Sequence, residues 1–474
     1  MYWPMSVIGV HIVRLFGMEL SRHTLARACL SAVVVSGGLV PFHFRKHLPV
    51  WVRVACLALI FASIGICCVW NFRIMRSHVE NPPEWDFRVF WMYGKVLARH
   101  GNVYLPSEYQ EFKELFQSDT QFTEASLNVG ATYPPHSMLL FEPLGFSNIH
   151  TAYLLWYVLQ TAALVAAIEL LRRIFLGGSG VWGLGLAALL LFALRGTWVT
   201  INFGQTNFLV LLLILLYWCD HELPRAGVWL ALGILVKLYV VFLLLYPLLR
   251  RQWLVVAWTV VSSLLLAFAS LLVLGPTTFF SYFTLHPASH LPSWVYSERI
   301  NQSLLAVILR NSNGGLGNRG PLAQPLFLAL ALLLACVTSW LVYRLRRRCE
   351  YGLALVLVLT LLLYPGTLVH YTLILLIPLL VIWEYREDFP GGIWGTVGLI
   401  AFVYGSIALQ QGDSTFAAML LVWMVLAGLA VFRTQNLQTI QPEGSDLLTA
   451  PHQSRFEGKT FSTAKTSTIN RLRH

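Results

Sequence analysis

The sequence predicts an all-α, polytopic membrane protein, and three observations carry that prediction. Of 474 residues, 57% are hydrophobic and only 12% are charged, half the charge of an ordinary soluble domain. The mean hydropathy is +0.65, and no soluble core of this length hides so much apolar surface. Lys and Arg gather in short clusters at the ends of apolar runs: Arg45-Lys46, Arg172-Arg173, Arg250-Arg251 and Arg344 to Arg348. The net charge of +11 is therefore a topology signal with positive loops inside, and the basic ends favour anionic membrane lipids. A soluble enzyme, a disordered chain and a nucleic-acid binder are excluded.

Residues 1–49 read as an N-terminal extension, amphipathic or one weak span. The run 7–16 is short and broken by His11 and Arg14, and 24–40 is barely long enough to cross. Residues 50–70 are the first clear span, directed outward by the basic residues before it. Residues 71–136 then break the apolar pattern and carry eight of the 22 acidic residues. They make 71–149 a long first outer loop, too long for a plain connector. Further spans follow at 150–171, 181–194 and 205–218. The stretch 226–249 holds two short apolar halves joined at Lys237, entering and returning to the inner side. Then come 252–274, 321–343, 351–364, 367–383, 391–409 and 415–432. A domain of about ten to thirteen membrane segments over 50–432 results, with outer loops at 71–149, 195–204, 275–320, 365–370 and 410–414. Several runs are shorter than the ~17 residues a bilayer needs, so those helices should be wrapped in protein. Residues 433–474, with six Lys/Arg against three Asp/Glu, read as a disordered cytoplasmic tail. The seven cysteines lie in or beside apolar runs. They imply no disulfide framework, and nothing has the spacing of a metal site.

The chemistry is concentrated in the outer loops. The first reads Asn81-Pro82-Pro83-Glu84-Trp85-Asp86-Phe87-Arg88, a helix start. Asp86 is either a first-turn carboxylate favoured by the helix dipole or a partly desolvated general base beside the membrane. The loop ends in Tyr133-Pro134-Pro135-His136, a stiff bend in which His136 is as readily an interface residue as a ligand. Asn202-Phe203-Gly204-Gln205-Thr206-Asn207 places two amides at membrane depth, where they cap a helix or hold sugar hydroxyls. Lys237 is a charge inside an apolar run, either functional or snorkelling. His286, His290, Glu298, Arg299, Asn301 and Gln302 populate a later loop, and Tyr364-Pro365-Gly366 and His370-Tyr371 lie at the outer ends of two spans.

Taken in order, these pieces resemble glycosyltransferase family 87, the polyprenol-phosphate-mannose-dependent mannosyltransferases of the GT-C superfamily. An Asp opens the first outer loop, then come a Tyr-containing helix and Gly-x-x-Tyr, Tyr-Pro-Pro, Gly-Gln-x-Asn, Lys-Leu-Tyr, Asn-Gln-Ser and a late His. The resemblance runs from about residue 50 to 432. It implies a GT-C-type transmembrane helix bundle with short helices in the long first extracytoplasmic loop. It implies an inverting hexosyltransferase that moves a sugar, mannose by family default, from a polyprenyl-phosphate donor to a glycolipid or glycan acceptor. Asp86 matches the general base. Many members open with paired acidic residues, and since Trp85 separates Glu84 from Asp86 here, Glu84 is the second choice. Lys237 and His370 match basic positions suited to the donor phosphate, and Arg88 joins them. Tyr133, Gln205, Asn207, Asn301 and Gln302 match polar positions for sugar or acceptor. Val240 stands where a Pro after Lys-x-Tyr is expected. Basic side chains on a leaving phosphate do what a metal does elsewhere, so no metal and no cofactor is expected. The setting implied is a bacterial cytoplasmic membrane with the site facing out.

Two other classes share parts of this pattern. A transporter or lipid flippase would line one path with buried charge and show two related halves, whereas here the polar residues cluster at one face. An O-antigen-ligase-like enzyme would rely on Arg and His in a late loop, such as Arg299 and His290. A membrane scaffold is the third reading.

Overall fold

The computed structural model describes residues 22–82, 86–115, 129–287, 296, 298–312, 323–345, 349–409 and 412–440. Among them the chain is helical, and an isolated bridge between Asn301 and Leu368 is the only β pairing. Seven helices are long and apolar enough to cross a membrane, or eight if a bent pair counts as one span. The protein is thus an integral membrane protein of the class its composition predicts. The chain divides into two units, Met1–Phe432 and Arg433–His474.

The weak N-terminal run is a full-length helix, α1 (Arg22–Phe44). It buries Ala28, Val35, Leu39 and Phe42 along one face. Helix α2 (Val50–Glu80) is ten residues longer than the apolar run that predicts it. Nothing in 71–80 breaks a helix until Pro82, so the helix runs on out of its apolar stretch. The outer segment then folds as α3 (Asp86–Ala98), a 3-10 stretch (Pro106–Leu115) and α4 (Pro135–Gly145). Helix α5 (Ile149–Phe175) is capped by Asn148, whose side chain accepts the Thr151 N–H, and carries Arg172 and Arg173 in its last turn.

Helix α6 (Gly180–Ala193) is followed by α7 (Arg195–Phe203), bent 69° away from it. The region read as the loop 195–204 is therefore a helix. Next come α8 (Asn207–Asp220) and α9 (Ala226–Val236). The chain breaks at Lys237, as predicted, before a 3-10 stretch (Leu238–Leu244) and α10 (Leu245–Leu249). Helix α11 (Trp253–Leu285) holds two helical stretches, the first ending at 274 as expected and the second occupying the start of the expected loop 275–320. Gly275 (φ 75°, ψ 158°) is not helical and ends the first stretch, and Pro276 opens the second, where a Pro is tolerated. After α12 (Leu304–Ser312) and α13 (Ala323–Arg344) come α14 (Cys349–Leu363), a 3-10 stretch (Val369–Leu375) and α15 (Leu376–Glu384). Nearly every side chain of α14 and α15 is buried. These two runs are short for a bilayer because protein, not lipid, surrounds them. Helix α16 (Gly392–Leu409) packs antiparallel to α1, with Trp394 near Phe44 at one end and Gly405 near Ala28 at the other. Helix α17 (Ser414–Ile440) extends eight residues past the expected boundary at 432, and the rest of the predicted tail lies outside the described residues.

A separate aromatic cluster fixes the outer segment. Phe90 stacks on Phe141 at 4.4 Å, with Phe87, Tyr93 and Trp156 around them. Helices α3 and α4 touch backbone to backbone: a Cβ on Gly145 would sit 2.0 Å from the Gly94 carbonyl oxygen. Gly145→Ala should therefore push the helices apart and cost about 1–3 kcal/mol. It should lower the melting temperature in detergent, and it should lower activity too, because α3 carries Asp86. An unchanged melting temperature would mean that the contact is dispensable.

Candidate active site

The break at Lys237 is where the site begins. Its backbone is extended (φ −148°, ψ 119°), ending α9 and turning the side chain into the protein at 3% exposure. An ammonium has three protons to place. The Nζ donates to the Tyr133 hydroxyl at 2.8 Å, to Gln205 Oε1 at 2.9 Å and to the Tyr371 hydroxyl at 3.4 Å. It also lies 5.2 Å from the Tyr133 ring centre and 5.0 Å from that of Tyr371, within cation–π range. These partners are neutral, and the charge facing Lys237 is Asp86. Snorkelling is thus overturned: the charge points inward.

Asp86 is the first residue of α3, where the helix dipole favours a carboxylate. Burial raises its pKa above the ordinary carboxylate value, and the Lys237 charge and a hydrogen bond with the Gln205 side chain offset part of that rise. Gln205 therefore joins the two charges. Its own position depends on Gly204, whose φ of +65° closes α7 and lets the chain pass Phe87 where a Cβ would be 2.7 Å away. The Trp156 indole N–H donates to the Gly204 carbonyl at 2.6 Å, and the Gln205 N–H donates to Thr200 O at 2.9 Å. Asn207 donates to the Thr200 hydroxyl at 3.1 Å, while its Oδ1 is buried without a partner.

Tyr133 lies partly exposed in the segment before α4, and burial of its hydroxyl drives its pKa well above 10. It stays neutral, accepts from Lys237 and keeps its own proton to donate. His370 is the second residue of the 3-10 stretch before α15, buried against Tyr371 with a ring separation of 4.7 Å, and its Nε2 has no partner. Tyr371 stacks on Tyr239 at 4.8 Å, with Tyr364 beside them. His136 donates to the Ile234 carbonyl, and its Nε2 is buried without a partner. Burial lowers its pKa and keeps it neutral.

The predicted residues thus separate into groups. Asp86, Lys237, Gln205 and Tyr133 meet, and His370 adjoins them through Tyr371 and feels the Lys237 charge. Arg88 faces another way: it donates to Pro82 O at 2.9 Å and to Asn81 Oδ1 at 2.8 Å, holding the chain before α3. Asn301 and Gln302 are spent on backbone. Asn301 Nδ2 donates to Pro365 O at 2.7 Å, and Gln302 donates to Arg299 O and Gly412 O while its Oε1 accepts from the Phe416 N–H. Glu84 and His290 lie outside the described residues. Among the described residues, no three His, Cys, Asp or Glu side chains gather closely enough to hold a metal ion. The residues that sequence reasoning did not assign are Tyr371, Tyr239 and Tyr364. Each stands inside a quoted motif, Lys237-Leu238-Tyr239, Tyr364-Pro365-Gly366 or His370-Tyr371, and the signal was the Tyr that recurs in all three.

An alpha-(1->3)-arabinofuranosyltransferase of Mycobacterium tuberculosis, found in two strains, is 33% identical over 158 residues. The match covers 31% of this chain and 36% of the relative, so the chain spans about a third of that protein's length. No solved structure matches the chain. The sequence profile of Glycosyltransferase family 87 matches residues 131–370. That match is half of the chain and takes in Tyr133, Gln205, Lys237 and His370, though not Asp86. This membrane protein therefore belongs to glycosyltransferase family 87.

Proposed function

We propose that this glycosyltransferase moves a sugar from a polyprenyl-phosphate donor to a hydroxyl of a glycolipid or glycan, with inversion and without a metal. Asp86 is the general base. Lys237 and His370 serve the donor phosphate, and Tyr133, Gln205 and Asn207 serve the sugar or acceptor. The setting is the bacterial cytoplasmic membrane, with the site on the extracytoplasmic side. The observation that carries this is the single amide of Gln205, which touches both a carboxylate and an ammonium. A carboxylate suits the proton of the attacking hydroxyl. An ammonium a few ångströms on suits the charge that builds on the departing phosphate. As the acceptor oxygen bonds to C1, the C1–O bond to phosphate breaks, the hydroxyl proton passes to Asp86, and polyprenyl phosphate leaves.

The sugar has two readings. The family resemblance gives mannose, and the relative's name favours arabinofuranose. The test is transfer by the purified full chain in liposomes, using labelled polyprenyl-phosphate mannose and polyprenyl-phosphate arabinofuranose with a lipid and glycan extract. Product with release of one polyprenyl phosphate per sugar is expected, and the better donor names the sugar. Transfer from nucleotide sugars alone, or passage of the lipid across the bilayer without sugar release, would overturn the proposal.

A pH profile follows from the burial of Asp86. The base must be ionised, and its raised pKa means that ionisation is gained only as pH climbs past a midpoint above the usual value of about 4. Transfer should fall toward acid on a limb above that value. The residual rate of Asp86→Asn should lack the limb. A limb that persists in the variant would assign the base elsewhere.

A further inference from the structure

Helix α4 joins the two charged residues of the site. Its last residue, Gly145, lies against Gly94 of α3, the helix that Asp86 opens. Its first turn lies against the end of α9, the helix that Lys237 closes. The spacing of carboxylate and ammonium therefore depends on how firmly α4 holds each neighbour.

Its hold on α3 is backbone contact and the stacking of Phe90 on Phe141. Its hold on α9 is polar, and the break at Lys237 creates the need for it. The last carbonyls of a helix have no amide of their own helix to accept. At the end of α9 the Lys237 N–H still reaches the Gly233 carbonyl at 2.9 Å. The extended Lys237 backbone then carries the chain off the helix, and the Val240 N–H turns to the Lys237 carbonyl at 3.1 Å. The next two carbonyls of α9 are taken by α4 instead. The Ser137 hydroxyl, fully buried, donates to Leu235 O at 2.6 Å. His136 donates to the Ile234 carbonyl, and since its Nε2 has no partner the proton it donates is on Nδ1. Tyr133, two residues before α4, accepts from the Lys237 Nζ at 2.8 Å. Pro134 and Pro135 stand between and fix φ across the join. The stretch 133–137 thus holds Lys237 by its ammonium and the helix before it by its backbone.

We propose that His136 and Ser137 are positioning residues, which pin the end of α9 to α4 and so keep the Lys237 ammonium at the distance from Asp86 that sugar transfer needs. The inference rests on the roles proposed above for these two charges, and neither His136 nor Ser137 is asked to touch a substrate. Two open carbonyls at membrane depth are costly, so without these donors the break would shift to find others and carry Lys237 with it. A misplacement of about 1 Å at a reacting centre costs on the order of 10²-fold in rate.

The test uses the full chain in liposomes and reads transfer across pH and deuterium uptake over residues 233–241 separately. Ser137→Ala and His136→Leu each remove one donor. Each should lower kcat about tenfold or more and speed uptake over 233–241. The acid limb should move to higher pH, because the Lys237 charge that holds the Asp86 pKa down sits farther off. Besides Lys237, the phenols of Tyr93, Tyr133 and Tyr371 face Asp86, and they are neutral across this range and leave the limb to Asp86. His136→Asn keeps an N–H where Nδ1 stands, so it should restore most of the rate and return the limb. In a Lys237→Met background, Ser137→Ala should change transfer by less than about twofold and leave the limb in place. Equal losses with Lys237 present or absent, or a limb that stays put in both single variants, would make the two bonds plain structural support and overturn the inference. Uptake matching the wild type would overturn it as well. Should Ser137→Ala not insert, the His136 pair carries the same comparison. If no prenyl-phosphate donor supports transfer by the wild type, the proposed function falls, and uptake in the two variants still decides whether these bonds hold the break.

Discussion

Asp86→Asn should lower sugar transfer at least about 10²-fold, the scale on which a positioned general base acts. The substitution is isosteric and keeps a partner for Gln205, so the protein should fold and insert as before. What it removes is the ability to take the acceptor's proton as the new bond to C1 forms. The loss should appear in kcat, with the donor KM little changed, because the group matters in the transition state and not in holding the lipid. Glu84→Gln is the companion variant. The sequence leaves Glu84 as the second acidic candidate, and it lies two residues before the helix that fixes Asp86. Its loss should change the rate by no more than a few-fold. If the two variants trade places, Glu84 is the base and Asp86 a partner of Lys237. If neither slows transfer, the carboxylate mechanism itself is wrong.

The membrane class was legible because composition and periodicity report burial in lipid directly. Where the pattern misled, the cause was that hydropathy marks the lipid and not the helix. Helix α2 runs ten residues past its apolar stretch because only Pro82 stops it, and the expected loop at 275 starts as helix because Pro276 opens a new helical stretch after the break at Gly275. The segment 195–204 looked like a loop since it is polar and short, yet it folds as α7 because it packs against protein beside His370. The site was legible in its charges. A Lys inside an apolar run is expensive, and Lys237 faces inward, toward the charge of Asp86 at the start of α3. Asn301, Gln302 and Arg88 were harder, because an amide or guanidinium spent on backbone carbonyls has the same sequence as one held for a substrate. Only their partners, Pro365, Gly412, Phe416 and Pro82, separate the two uses.

Lys237→Met should have the largest effect of any single change, about 10³-fold or more on kcat/KM. Three acceptors, on Tyr133, Gln205 and Tyr371, lose their donor together, and the leaving phosphate loses the positive charge that faces it. Arginine should not rescue. A planar guanidinium cannot reproduce three converging bonds of 2.8, 2.9 and 3.4 Å from one nitrogen. The variant also tests the coupling to Asp86. The Lys237 charge opposes the rise that burial imposes on the Asp86 pKa, so removing it should raise that pKa further. The acid limb of the pH profile should therefore move to higher pH in Lys237→Met. The double variant Asp86→Asn, Lys237→Met should lose much less than the product of the two single losses, because each acts on the same bond exchange. Lys237→Met alone leaves the Asp86 charge without its partner, so the melting temperature should fall, less so in the double variant that removes both charges. The rates are read below the melting transition of each variant. Additive losses with an unmoved acid limb would mean that the two charges work on separate steps, and the shared amide of Gln205 would then be structural.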